Sequence, residues 1–141
     1  MSAVFSETFS VHAQDFASAG EASAKIKSIL RMIGTDPALT RRVTIAAYEA
    51  ELNMVIHSLG GKMTLEISPD AVELLCKDTG PGISDIDLAM REGYSTASSD
   101  IRMLGFGAGM GLPNIKKNSD DLSISSDSNG TTLKMRFGIN E

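Results

Sequence analysis

The sequence predicts an α/β protein built as a two-layer sandwich, with a mainly antiparallel mixed sheet and helices on one face only. Most strand-like runs place apolar side chains on one face and Ser, Thr, Lys or Glu on the other, the pattern of a sheet that is covered on one side. Two helical periodicities separate the first strand from the others. Parallel sheets buried on both faces would read as continuous apolar runs, so a Rossmann-type fold is disfavoured.

Composition indicates a single globular domain, residues 1–141. The hydrophobic fraction of 42% and the charged fraction of 22% are ordinary for such a protein. The net charge of -5 does not indicate the basic surface that direct nucleic-acid binding requires. No apolar run reaches the roughly 20 residues needed to cross a bilayer, and no export signal is visible. We therefore expect a cytoplasmic protein without a membrane partner. The single cysteine, Cys76, is interpreted as a buried small hydrophobe.

The first third of the chain predicts one strand and two helices. Residues 4–11 alternate apolar and polar side chains, as a half-buried strand does. Residues 15–33 carry apolar side chains at helical spacing, and Gly34 follows as a stop. A second helix opens at Asp36-Pro37, where Asp is the expected N-cap and Pro suits the first turn. It runs to about Leu59 before two glycines.

The remaining strands are predicted as two hairpins. Residues 63–67 and 72–77 alternate around a turn at Pro69-Asp70. Two final strands around 122–124 and 133–137 flank a glycine-containing turn. Between the hairpins we expect a short helix over 84–92, a long loop over 93–111 and a helix over 112–119. A long loop in a compact domain is usually functional or disordered.

A rigid corner follows the strand at 72–77. The stretch Asp78-Thr79-Gly80-Pro81-Gly82 places an acid at the strand exit, and two glycines around a proline force a turn. An acid held at such a corner can accept a hydrogen bond from a flat ring that lies on the glycines. By itself, this stretch leaves a plain Asx-type turn open as the alternative.

The second helix carries polar residues beside an apolar stripe. Ile45, Leu52 and Ile56 form the predicted stripe, while Glu49 and Asn53, one turn apart, share nearly the same face. Either both lie in water at the edge of the stripe, or their oxygens point into a pocket. Such oxygens suit Mg²⁺, which takes few protein ligands plus phosphate oxygens and water. A carboxylate there could instead accept a proton from an attacking hydroxyl.

Alternate glycines precede the helix predicted over 112–119. In the run Gly105-Phe106-Gly107-Ala108-Gly109-Met110-Gly111, backbone N–H groups can cradle phosphates, and the helix dipole favours the same charge. A dinucleotide fingerprint would need glycine at Met110 or Leu112, and a P-loop would need Gly-Lys-Ser/Thr, which the chain lacks. A flexible glycine loop is the alternative that remains.

Together these stretches resemble the ATP-binding domains of the GHKL superfamily, which includes gyrase, heat-shock chaperone, histidine kinase and mismatch-repair ATPases. The four matching elements, in register over about residues 40–137, are Glu49-x-x-x-Asn53 for the N box, Asp78-x-Gly80-x-Gly82 and Gly105-x-Gly107-x-Gly109-x-Gly111-Leu112 for the two glycine boxes, and Gly130-Thr131 for the final Gly-Thr element. The short N-terminal strand and helix resemble the smallest subgroup, the bacterial anti-sigma-factor and switch-protein serine kinases.

The resemblance implies a histidine-kinase-like ATPase fold with ATP and Mg²⁺ as cofactors. It implies that Asp78 holds the adenine amino group, with Thr131 helping through water. It also implies that Asn53 coordinates Mg²⁺ and that Glu49 acts as the base. The implied nucleotide-binding set further contains Gly80, Gly82, Gly105, Gly107, Gly109, Gly111 and Leu112. The segment 97–104 is longer than expected for the lid of a switch kinase, which leaves lid closure and the phosphate contacts open.

Two functions from different classes follow from the resemblance. The first is a protein serine/threonine kinase that phosphorylates a STAS-type anti-anti-sigma partner in bacterial transcriptional regulation. The second is an ATP-dependent binding module that sequesters a sigma factor or another regulatory protein with little or no catalysis. Glu49 does not separate them, because the family keeps this residue in both roles. A homodimer is compatible with either. A sensor histidine kinase ranks lower, because no helical hairpin with a phospho-accepting His precedes residue 40.

Overall fold

The computed structural model describes residues 5–80, 90 and 111–139. The predicted helix over 84–92 and loop over 93–111 lie outside these ranges, apart from Met90 and Gly111. No helix in the described part of the chain is long and apolar enough to span a membrane. The described elements are β1 (Phe5–Val11), α1 (Glu21–Met32), α2 (Pro37–His57), β2 (Gly61–Ile67), β3 (Ala71–Asp78), α3 (Gly111–Asn118), β4 (Asp121–Asp127) and β5 (Gly130–Gly138).

The described strands form one sheet in the order β1-β2-β3-β5-β4. Each neighbouring pair is antiparallel. The two predicted hairpins are present, because β2 pairs with β3 and β4 pairs with β5. Ser68 closes the first turn, where its N–H donates to Ala71 O at 2.9 Å. The predicted α/β sandwich with a mainly antiparallel sheet is therefore confirmed.

Strand alternation gives the sheet one buried and one open face. On the buried face, Met63, Leu65 and Phe137 have no exposed surface and pack in a core that also contains the inner residues of the helices. On the open face, the hydroxyl groups of Thr8 and Thr64 lie 3.0 Å apart. Cys76 is in the core and is 1% exposed. Burial raises the pKa of its thiol, and the nearby carboxylates of Asp78 and Glu51 raise it further.

The buried face of α2 differs from the predicted stripe. Val43, Ala47 and Ala50 are at most 1% exposed, whereas Ile45 and Leu52 are only half-buried. Ile56, the third residue of the predicted stripe, is buried at 9% exposed. The stripe was therefore right at Ile56 and wrong at Ile45 and Leu52, because the face that packs inward is rotated toward Val43, Ala47 and Ala50.

Helix α1 begins later than the predicted residue 15. Gly20 has a φ of 100°, a left-handed conformation that ends any preceding helical turn. The Asp15 carboxylate accepts a hydrogen bond from Ser18 N at 3.2 Å and stabilises a local turn. By contrast, α2 begins as predicted, because the Asp36 carboxylate accepts bonds from Ala38 N and Leu39 N at 3.1 and 3.3 Å.

Gly20, the N-cap residue of α1, has no side chain that could cap the helix, and a carboxylate from α2 does so instead. Glu51 is 3% exposed, and its two oxygens accept hydrogen bonds from Gly20 N at 2.9 Å, Ala22 N at 3.2 Å and Ser23 N at 3.0 Å. Free N–H groups and the helix dipole both favour a negative charge at this end. Glu51 was not predicted to have a role. It ties the first two helices together.

We expect Glu51→Gln to destabilise the protein by about 2–3 kcal/mol, because charge-assisted bonds to the N-terminus of α1 are lost and an amide donor faces other donors. Urea denaturation followed by circular dichroism measures the change. The control is Glu66→Gln, on the exposed face of β2, which should change stability by less than roughly 0.5 kcal/mol. Equal effects for the two variants would contradict the capping role.

Candidate functional site

The corner Asp78-Thr79-Gly80 is fixed by backbone hydrogen bonds from two other parts of the chain. One part is the segment Leu59-Gly60 that follows α2, and the other is the turn between β4 and β5. The bonds run from Leu59 N to Thr79 O at 2.8 Å, from Thr79 N to Gly60 O at 3.0 Å, and from Gly80 N to Asn129 O at 3.3 Å. The acid at the strand exit therefore stands on a backbone that two other segments hold in place.

Two glycines make this close packing feasible. Gly80 has a φ of 146°, and a Cβ there would lie 3.2 Å from Ser58 Cα. Gly130 has a φ of 148°, and a Cβ there would collide with the carbonyl oxygen of Asp78. Both positions combine a left-handed backbone with a close neighbour. Gly80 and Gly130, assigned from the motifs, thus have a structural role in shaping the corner.

Asp78 and Thr131 meet at this corner although they are far apart in the sequence. Thr131 N donates to Asp78 Oδ1 at 2.9 Å, and within the described residues no group donates to the other carboxylate oxygen. Burial raises the pKa of Asp78, and the Thr131 N–H partly opposes this. The Thr131 hydroxyl is buried and lies 2.8 Å from Ser126 Oγ. The site offers one carboxylate oxygen as an acceptor, with a hydroxyl nearby.

Glu49 and Asn53 lie on the flank of α2 that faces α3. Both are half-buried, so they are neither core residues nor fully solvated. Burial raises the pKa of Glu49, and a hydrogen bond with the Asn114 side chain partly opposes this. A half-buried carboxylate of raised pKa is a suitable proton acceptor, and the amide oxygen of Asn53 is a suitable ligand for a hard cation.

Helix α3 is anchored to the core and to α2. Leu112 and Ile115 are 7% and 0% exposed. Near the far end of α3, Arg42 Nε donates to Asn118 O at 3.0 Å, and the same guanidinium forms a 2.7 Å ion pair with Asp120. Because the Leu112 side chain lies in the core, a nucleotide contact at this position would fall to its backbone. The N-terminus of α3 is Gly111, the last residue of the glycine run.

The structure thus places the predicted site residues in two groups. The corner group contains Asp78, Gly80 and Thr131, and the helix group contains Glu49, Asn53, Gly111 and Leu112. Gly82, Gly105, Gly107 and Gly109 lie outside the described residues. Asn114 was not predicted to have a role, although an amide in the first turn of a helix after a glycine run could have drawn attention to it.

Comparisons with known proteins identify relatives over most of the chain. The family model for the histidine kinase-like ATPase domain matches residues 13–137, a range that contains both groups of site residues. The chain is also 28% identical over 104 residues to the serine/threonine-protein kinase RsbT of Bacillus subtilis (strain 168), and the alignment covers 71% of this chain and 72% of RsbT.

We expect Glu49→Gln to stabilise the protein at neutral pH. The raised pKa means that the folded state binds the Glu49 proton more tightly than the unfolded state does, so wild-type stability falls as pH rises from the ordinary value of 4.5 through the raised one. Glutamine does not titrate, so its advantage should shrink below pH 4.5. Urea denaturation at neutral and acidic pH checks this, with Glu66→Gln as the exposed control. A difference that is independent of pH would contradict the assignment.

Proposed function

Because the chain belongs to the family of histidine kinase-like ATPase domains, we propose that it is an ATP-binding protein serine/threonine kinase of the anti-sigma-factor or switch type. Membership confirms the predicted resemblance to the GHKL superfamily, and the similarity to RsbT supports a kinase-like regulatory role. The observation that carries the proposal is the fixed corner at which Thr131 N donates to Asp78 Oδ1 at 2.9 Å, because one oxygen of the carboxylate is left to accept a hydrogen bond from a base. The half-buried position of Glu49 on the flank of α2 supports its role as the proton acceptor.

In this proposal Asp78 recognises adenine. Its Oδ1 is occupied by Thr131 N, and its second oxygen accepts the exocyclic amino group of the base. A guanine ring presents a carbonyl oxygen at the equivalent position, and two acceptors repel each other. Thr131 binds a water that bridges to the ring. The fixed backbone of the corner supports this role, because a rigid acceptor loses little entropy when the base binds.

The phosphates lie between α2 and the N-terminus of α3. The free backbone N–H groups in the first turn of α3, which begins at Gly111, contribute partial positive charge there. The backbone N–H groups of Gly105, Gly107 and Gly109 are proposed to complete the phosphate-binding site. The donor set fits Mg²⁺, because the Asn53 amide and phosphate groups supply the hard oxygen ligands that this ion prefers. When bound, the metal neutralises phosphate charge. Gly82 is assigned to the nucleotide site on the motif alone.

Glu49 is the proposed general base. A serine or threonine hydroxyl of the partner attacks the γ-phosphorus, the bond between that phosphorus and the β–γ bridging oxygen breaks, and ADP leaves with the electron pair. The hydroxyl proton passes to the Glu49 carboxylate. Positioning and charge stabilisation dominate such transfers, while a positioned base adds about 10²–10⁴-fold. Since Glu49 must be ionised, the rate should fall as pH drops through its raised pKa.

The proposed protein substrate is a STAS-type anti-anti-sigma partner in the bacterial cytoplasm. The alternative, a module that binds ATP and sequesters a sigma factor or similar protein without transfer, uses the same nucleotide site. Loss of phosphotransfer with retained partner binding separates the two functions.

Asp78→Asn should weaken ATP binding by about 1–3 kcal/mol, the scale for disrupting a buried polar contact. Asparagine keeps an oxygen for Thr131 N but turns an amide donor toward the adenine amino group. Calorimetry with ATP and GTP measures both affinity and base preference. Asp121→Asn, on an exposed position of β4, is the matched control. Wild-type affinity that is equal for ATP and GTP would contradict the role of Asp78.

Glu49→Gln should retain ATP and partner binding but lose phosphotransfer by about 10²–10⁴-fold, because shape is preserved and basicity is removed. Single-turnover transfer to candidate STAS proteins of the same genome, followed by mass spectrometry, measures this. Glu66→Gln should transfer as the wild type does. If the wild type binds ATP and the partner yet leaves the partner unmodified, the kinase proposal fails and the sequestering module is the better account.

A further inference from the structure

A groove runs between the edge strand β1 and helix α1. Its cavity measures about 400 Å³. Glu51 and Val55 of α2 also line the cavity, and Glu51 lies roughly 200° around the helix from Glu49. The groove is therefore on the other flank of α2 from the proposed nucleotide site. The consecutive residues Glu7 to His12 line one wall of the groove, and Ser18, Glu21, Ala22 and Lys25 line the other.

The wall formed by β1 is its backbone edge. Successive side chains of a strand point to opposite faces, so the consecutive residues Glu7 to His12 can border one cavity only along the edge of the strand. On its other side β1 pairs with β2, and no described strand pairs with this edge. An unpaired edge presents N–H and C=O groups to any extended chain that reaches it.

Strand β1, which reads FSETFSV, contains neither proline nor lysine, two residues with which proteins commonly block a sheet edge. Its only charged residue is Glu7, an acid on the same face as Phe9 and Val11, which would discourage a partner strand unless the partner brings a cation. The groove is also pre-shaped, since Glu51 fixes the first turn of α1 through three backbone hydrogen bonds. A pre-formed groove loses little entropy when it takes up a ligand.

The charge of the groove selects the kind of occupant. Glu7 and Glu21 are exposed and Asp15 is half-buried, against a single lysine, Lys25, in the same lining. Glu51 is already engaged by the N-terminus of α1. The excess of carboxylates favours a cationic segment. A second copy of this chain would bring a second acidic groove and a net charge of -5, so a basic segment of another protein complements the groove better than a second copy does.

We propose that this groove binds an extended, basic segment of another protein, which adds to β1 as a further strand and sets a lysine or arginine against Glu7 and Glu21. In such complexes main-chain hydrogen bonds provide affinity, while side-chain contacts provide specificity. The surface uses none of the residues proposed for ATP binding or transfer, so the inference goes beyond the proposed function.

The test is selection from a display library of random ten-residue peptides on the wild type and on Glu7→Lys. Wild-type protein should enrich peptides that contain Lys or Arg, and Glu7→Lys should enrich acidic ones. A synthetic wild-type-selected peptide should bind Glu7→Lys at least about tenfold more weakly. Glu66→Lys, the same charge change on exposed β2 outside the groove, should bind it normally. Hydrogen exchange should show new protection of the β1 amides.

Several results would overturn the proposal. They are an absence of enrichment on the wild type, binding that Glu7→Lys and Glu21→Gln both leave unchanged, and protection that appears away from β1. Sedimentation of the protein without peptide tests whether a second copy of the chain fills the groove. A dimer that Glu7→Lys alters and Glu66→Lys does not would show that a second copy fills the groove. Unchanged circular dichroism and MgATP affinity in Glu7→Lys confirm that the variant is folded.

Discussion

Helix α2 buries a continuous face that includes Val43, Ala47, Ala50 and Met54, each at most 2% exposed. Because this face lies in the core, the polar residues on the two flanks of the helix lie at the edge of the core. One flank presents Glu49 and Asn53 to α3, and the other presents Glu51 to α1. The position of this one helix therefore determines where both candidate functional surfaces lie.

The same helix fixes the corner that carries Asp78. Leu59 and Gly60, directly after the end of α2, exchange backbone hydrogen bonds with Thr79, so the corner is tied to the helix that carries Glu49. Burial raises the pKa of both acids, but their partners differ. Asp78 accepts from a backbone N–H and Glu49 contacts the side chain of Asn114. In the proposed mechanism, a backbone partner suits the fixed acceptor Asp78, whereas the side-chain partner of Glu49 can move aside when that carboxylate takes up a proton.

The two flanks illustrate two uses of a half-buried or buried carboxylate. Glu51 is almost fully buried and is satisfied by three N–H donors, so it stabilises the fold. Among the described residues, Glu49 contacts the side chain of Asn114, and burial opposes its ionisation. Natural proteins often accept lower stability where a site needs a strained or poorly solvated group. The opposite behaviour of these neighbouring acids follows from the faces of α2 on which they lie.

Local patterns in the sequence were enough to predict the strands, both hairpins and the start of α2. Each depends on neighbours a few residues apart, such as the Asp36 carboxylate and Leu39 N. The spacing of the glycines and polar residues was also enough to indicate the family. The role of each glycine beyond residue 80 and before Gly111 rests on that pattern alone.

Tertiary structure decided the features whose partners are distant in the chain. Glu51 reaches Ser23 across 28 positions, and Asp78 meets Thr131 across 53. The inward face of α2 was also decided by packing, since Val43, Ala47 and Ala50 are buried while Ile45 and Leu52 are only half-buried. Periodicity shows that a helix has faces, but only the neighbouring elements determine which face is buried and which polar group finds a partner.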